Sequence, residues 1–204
     1  MTKNCLRRLG NDTGASLIDT LMAVAVVATV SAIAAPSAVN FVDSTRIGMA
    51  TRDVERELQF ARLKAVATNR PMRVRFDCPA TGTVRVVELI GTPQTPDAAL
   101  DPDSYLTRCD EAVFPYFPTG ADKSRLTRPN NDGVMRTLAS GVTFTAQKTI
   151  EFWPNGTVHV YDPAASPVNP WPVVGASGAT ITLSRKGKTK NITVNSFGKI
   201  QMDR

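Results

Sequence analysis

An α+β fold is predicted, with one long N-terminal helix packed on an antiparallel β-sheet. Three observations predict it. Residues 20–42 hold no charged side chain. Beyond them apolar residues keep a helical period as far as residue 65, and from Met72 the period changes to two. The composition agrees with a folded chain of 204 residues, 42% hydrophobic and 21% charged. Aromatics make up only 6%, so the core must be built mainly from Val, Ile, Leu and Ala. The net charge of +6 fits an acidic or nucleic-acid partner, and equally a plain basic domain.

The helix comes first. Lys3, Arg7 and Arg8 precede the apolar run, whose 23 residues would span about 35 Å as a helix. That exceeds a hydrocarbon core of about 30 Å. The basic flank should stay cytoplasmic and the C-terminal part should be exported. Three fates are open to such an N-terminus. A signal peptide could be cut at Ala32-Ile33-Ala34, an uncut anchor could remain, or a cut after Gly14 could leave the run on the mature chain. Asp19 bears on the choice. A carboxylate in a membrane segment costs about 2.5–3.5 kcal/mol and marks a functional site by default. A disposable signal gains nothing from it. A freed amine at Ala15 on a neighbouring copy would neutralise it and set the axial register between packed helices.

Ile47, Ala50, Thr51, Val54, Leu58, Ala61 and Ala65 lie on one face, so the helix is expected to continue over 17–68. Arg46, Arg52, Asp53, Arg56, Glu57 and Arg62 fall on other faces and are expected to be solvated. Pro36 should bend the helix or loosen the turn before it. Asn69-Arg70-Pro71 should end it.

Strands follow. Met72, Val74 and Phe76 alternate with Arg73, Arg75 and Asp77, and Thr83–Ile90 returns as a second strand. Residues 91–133 read as a long irregular connection and 162–178 as a second one. Val142-Thr143-Phe144 is strand-like. Ile150–Tyr161 holds a hairpin about Pro154-Asn155-Gly156. Ala179–Leu183 and Asn191–Val194 form a last hairpin with a tip over residues 184–190.

Cys5, Cys78 and Cys109 are the three cysteines. Removal of a leader carrying Cys5 leaves an even pair and implies one disulfide in an exported domain. In a cytosolic chain they would be free thiols.

Enzymatic chemistry finds little support. The one histidine, His159, alternates with Val158 and Val160 and reads as an outward strand residue. The cysteines have no further Cys or His for zinc, and Gly187-Lys188-Thr189 lacks the upstream glycine of a phosphate loop. Asp97, Asp101 and Asp103 do not follow calcium-loop spacing. No cofactor and no metal site is expected. Arg185, Lys186, Lys188 and Lys190 put four cations in six residues, with Lys199 and Arg204 later. Such a tip can hold phosphates, DNA included, without reading sequence. It can equally serve as a soluble hairpin end.

The N-terminal stretch resembles the processing signal of type IV pilins and pseudopilins: basic leader, Gly14, A-S-L-I-D-T-L-M-A-V-A-V-V, an acid at the fifth mature position (Asp19) and a proline at the twenty-second (Pro36). Ala15 stands where the family usually has Phe, and Asp19 where it usually has Glu. The C-terminal half is similar to the GspH/FimT-like minor pseudopilins, through I-E-F-W-P-N-G-T-V at 150–158, T-I-T-L-S, and N-I-T-V-N-S-F-G-K-I at 191–200. Here Lys199 replaces the usual Arg. The resemblance implies the pilin-like fold, a leader at 1–14 cut by prepilin peptidase, methylation of the Ala15 amine, an assembly helix at 15–42 and a periplasmic domain at 43–204. It implies as partners other pilin or pseudopilin subunits, the peptidase, the inner membrane and its assembly platform. The host is a type II secretion pseudopilus or a type IV pilus. A DNA-uptake pilus is the alternative implied by relatives with a basic C-terminal patch. A soluble periplasmic protein cut after Ala34 is the other alternative.

Overall fold

The structure is a computed structural model that describes residues 16–89, 109, 132–162, 164 and 171–203. The long helix α1 runs from Leu17 to Thr68, the bounds expected from its pattern. Its N-terminus is capped by Ser16, whose Oγ accepts from the Ile18 amide at 3.4 Å while its carbonyl takes the first helical bonds, from Asp19 and Thr20. It ends in a Schellman arrangement, because Asn69 is left-handed at φ 52° and the Arg70 amide donates to the Ala65 carbonyl. Pro71 follows and cannot continue the helix. By compactness the chain divides into two units, Met1–Val42 and Asp43–Arg204.

In the second unit α1 packs on two antiparallel sheets. One has the order β3-β2-β1-β5-β6, built from Arg136–Thr137, Thr83–Glu88, Met72–Phe76, Ile150–Phe152 and Val158–Val160. The other has the order β4-β7-β8-β9, built from Thr143–Ala146, Ala179–Arg185, Lys188–Val194 and Ile200–Met202. This is the α+β, pilin-like arrangement. The core lies where the helix face meets both sheets. All seven stripe residues, Ile47 through Ala65, are buried, against Met72, Val74, Phe76, Val84 and Val86 of one sheet and Ile181, Leu183, Ile192 and Val194 of the other. Ala50, Ala61 and Ala65 leave room for close approach of backbone to sheet. Burying each larger apolar side chain contributes about 1.5–3 kcal/mol.

The β5–β6 hairpin closes over Pro154-Asn155-Gly156. The Gly156 amide donates to the Trp153 carbonyl at 2.9 Å, and the Trp153 amide donates to the Thr157 carbonyl at 3.0 Å. Cys78, just past β1, is bonded to Cys109, with their Cα atoms 5.5 Å apart.

Several expectations are corrected. The second strand stops at Glu88 rather than Ile90. The last hairpin is longer and its turn tighter than read from sequence. Arg185 pairs with Lys188, so only Lys186 and Gly187 turn the chain. Both sit at positive φ, 46° and 79°, the left-handed pair that a two-residue hairpin needs. Lys-Gly is not the usual Asn-Gly signal of such a turn, so the sequence does not mark it. The alternation in β1 left open what its arginines face. All five residues of β1 and all six of β2 are buried, including Arg73, Arg75 and Arg85. Period-two alternation separates the faces of a strand, and it does not say that the polar face meets water. Glu57 is likewise buried, and accepts from Arg136 Nε at 3.0 Å instead of being solvated.

Candidate assembly site

Two regions bear on function: the apolar half of α1 and the charged residues where that half ends. Gly14, Ala15 and the leader lie outside the described residues. Asp19 sits in the first turn of α1 and is exposed. A carboxylate there is favoured by the amides of the helix start. Around and beyond it Leu17, Ile18, Leu21, Met22, Val24, Val26, Val27, Val30 and Ile33 are all more than half exposed. The helix carries an 18-residue window of mean hydropathy 2.1, none of it buried. Such a surface needs lipid or other helices, because water penalises it. Pro36 lies within α1 and supplies no amide to the turn before it.

Where the charge-free run stops, the chain places Asp43, and the structure buries it. Arg185 Nε donates to Asp43 Oδ1 at 2.9 Å, and Lys186 Nζ lies 3.1 Å from Oδ2. Arg185 also donates from Nη1 to the Ser140 carbonyl. One guanidinium thus joins the start of the buried helix stripe, the β3–β4 turn and the end of β7. Gly141 makes room for it. A Cβ there would lie 2.5 Å from Arg185 Nη1, and φ is 77°.

The four cations of the basic tip are thus not equally open. Arg185 is buried at 6% exposure and committed to Asp43, and Lys186 is exposed but also bonded to Asp43. Lys190 lies in β8, its Nζ 3.4 Å from the Asp203 carbonyl. Lys188 and Lys199 are on the surface of the same sheet, with Lys199 beside Gly198 in the β8–β9 turn. Sequence reading missed Asp43, although two signals place it. It continues the helix stripe four residues before Ile47. Arg185 likewise continues the inward set Ala179, Ile181 and Leu183 of β7.

The Arg185 hydrogen bond, then that of Lys186, holds the Asp43 carboxyl below its ordinary value of 3.8, against the effect of burial. A lowered folded pKa contributes stability that is complete above the ordinary value and lost as pH falls through the folded one. The melting temperatures of wild type and Asp43→Asn should therefore differ by a constant amount at neutral pH, and the gap should close below roughly pH 4. A gap that persists unchanged to pH 3 would show that the pair does not act as described.

His159 is not the outward residue expected. Its ring stacks on Trp153 at 4.6 Å, with Nε2 3.0 Å from Thr157 Oγ1 and Nδ1 3.0 Å from the Trp171 carbonyl. Itself half-buried, it lies beside the buried Arg73 and Glu151 on the face of β1 and β5 that carries their charged residues. Among the described residues no group of three His, Cys, Asp or Glu could hold a metal ion. Asp97, Asp101, Asp103 and most of 91–133 lie outside the described residues.

A long helix with an uncovered apolar half and a domain of two antiparallel sheets packed on its other half is the anatomy of a pilin-like subunit. Residues 50–198 match the family described as type II transport protein GspH, and the chain belongs to that family. No curated protein and no solved structure matches it. The family is structural rather than enzymatic. Membership supports a pseudopilin role in type II secretion, and with the apolar helix it points to an inner-membrane anchor.

Proposed function

We propose that this chain is a minor pseudopilin of a type II secretion system, cut after Gly14 and assembled through α1. The observation that carries the reading is the exposed apolar surface of α1 with a single acid, Asp19, in its first turn. Prepilin peptidase frees the Ala15 amine, and Asp19 of one subunit pairs with that amine on its neighbour. Helices that carry no other charge over residues 20–42 then pack with one register, because any other leaves a carboxylate unpaired in an apolar layer. The domain from Asp43 onward is carried on the periplasmic side, and the assembly platform engages the membrane half.

Asp19→Ala should leave cleavage intact and reduce incorporation into the filament by at least about ten-fold, given roughly 2–3 kcal/mol for an unpaired intramembrane charge. Co-purification of the mutant with sheared filaments measures this. Incorporation at the wild-type level would remove the pairing. N-terminal sequencing of the mature chain separates the proposal from a soluble protein, since a start at Ala15 supports it and a start at Ala35 ends it. Family membership favours secretion over a pilus as host. The DNA-uptake reading rested on four tip cations, and the burial of Arg185 removes one of them.

A further inference from the structure

The Asp43–Lys186 contact has a spatial consequence. Val42 is the last residue of the charge-free run and Asp43 the next, about 1.5 Å further along the helix. Lys186 Nζ is 3.1 Å from the Asp43 carboxylate, so by bond lengths it lies within about 7 Å of the Asp43 Cα. A bilayer of about 40–45 Å around a core of about 30 Å leaves a headgroup layer of about 5–8 Å on each side. The lysine that turns the β7–β8 hairpin is therefore held at headgroup depth, wherever the charge-free run spans the hydrocarbon.

Charge at this point is unbalanced. Asp43 brings one negative charge, and Arg185 and Lys186 meet it with two positive ones. Arg46 adds another cation from an exposed position on α1, nearly one turn past Asp43, and Lys188 faces Arg185 across the hairpin. The Lys186 side chain is 64% exposed and keeps donors to spare, since an ammonium has three. A lysine with its stem along protein and its head among phosphates is a stable arrangement at an interface.

We propose that Arg46, Lys186 and Lys188 form a collar that binds the phosphate groups of anionic phospholipids where α1 leaves the membrane. This rests on the reading of residues 20–42 as a membrane span. The collar favours anionic lipid around the helix exit before assembly. Lipid phosphates are already concentrated at that depth, whereas duplex DNA would have to approach the bilayer to reach the same cations.

The test uses the full chain reconstituted in phosphatidylcholine bilayers, with trace spin-labelled phosphatidylglycerol or phosphatidylcholine. Phosphatidylglycerol should be enriched at the protein, and K186Q combined with K188Q should lower the enrichment by at least about five-fold, the effect of roughly one lysine charge near a surface. R46Q, which touches no bond to Asp43, should lower it in the same direction with the melting temperature unchanged. The leader cations Lys3, Arg7 and Arg8 are the same in every variant, so they cannot produce the difference. Equal enrichment in wild type and variants, in protein that resists alkaline extraction, overturns the collar and leaves the membrane span standing. Alkaline extraction of the wild type overturns both. Retardation of short duplex DNA that K186Q/K188Q abolishes, with lipid enrichment unaltered, assigns the cations to nucleic acid and overturns the collar.

Discussion

Replacing Glu151 by alanine is expected to lower the stability of the domain by about 3–5 kcal/mol, a large part of the roughly 5–15 kcal/mol that holds a typical domain. Arg73 and Glu151 stand opposite each other in the β1–β5 ladder, both side chains only 2% exposed. Arg73 donates to Glu151 Oε1 from Nε at 2.9 Å and from Nη2 at 2.7 Å. Trp153 Nε1 donates to Oε2 at 3.1 Å, and the Trp171 ring covers the guanidinium at 4.2 Å. Burial pushes the Glu151 carboxyl above its ordinary range, with Arg73 and Trp153 pulling it back. A raised folded pKa means that ionisation itself works against the fold. Any stability linked to it is greatest below the ordinary glutamate value and is lost as pH rises through the folded one. The pair therefore holds the fold together by mutual need rather than by net gain, and removing one member leaves the other charge buried. Arg73→Met combined with Glu151→Leu should recover most of the loss. The only two tryptophans flank the pair, so intrinsic fluorescence during denaturation of the detergent-solubilised chain reports on it directly. A single-mutant cost below about 1 kcal/mol would mean that the charges escape to water and the pair carries nothing.

Loss of the disulfide comes next in size. Cys78 and Cys109 are separated by 31 positions, and closing a loop of that length constrains the unfolded chain by about 3–4 kcal/mol. Cys78→Ser with Cys109→Ser should lower the denaturation free energy by that amount, with little change of structure elsewhere. Both sulfurs are buried, so the native bond should resist mild reductant. In mature chain that begins at Ala15, thiol titration in denaturant should find none before reduction and two after. Two thiols before reduction would exclude the bond.

These two predictions mark what the sequence could and could not disclose. The helix was legible from end to end, because apolar spacing, the Asn69-Arg70-Pro71 stop and the charge-free run are local signals. The seven stripe residues were named by spacing alone, and all seven are buried. The hairpin about Pro154-Asn155-Gly156 was legible for the same local reason. The polar face of β1 was not. Nothing local says whether Arg73 meets water until Glu151 is placed opposite it, and that pairing spans 78 positions. Asp43 is hidden from the sequence in a related way. Its residue type argues for water, its position argues for the core, and only Arg185 resolves the conflict. The assembly site divides likewise. Asp19 is conspicuous in sequence because nothing apolar needs it, whereas the partner proposed for it lies on another subunit and leaves no pattern in this chain.

The Arg185–Asp43 bond joins positions 142 residues apart. For a chain that enters the membrane N-terminus first, that interval is also a delay. At roughly 5–20 residues per second, Arg185 emerges about 7–30 s after Asp43. During that time the buried stripe of α1 has no β7 or β8 to cover it, and Asp43 has no guanidinium. The start of the stripe cannot close until β7 has been delivered. The bond is thus a timed event, made only once β7 has followed the helix by 142 positions.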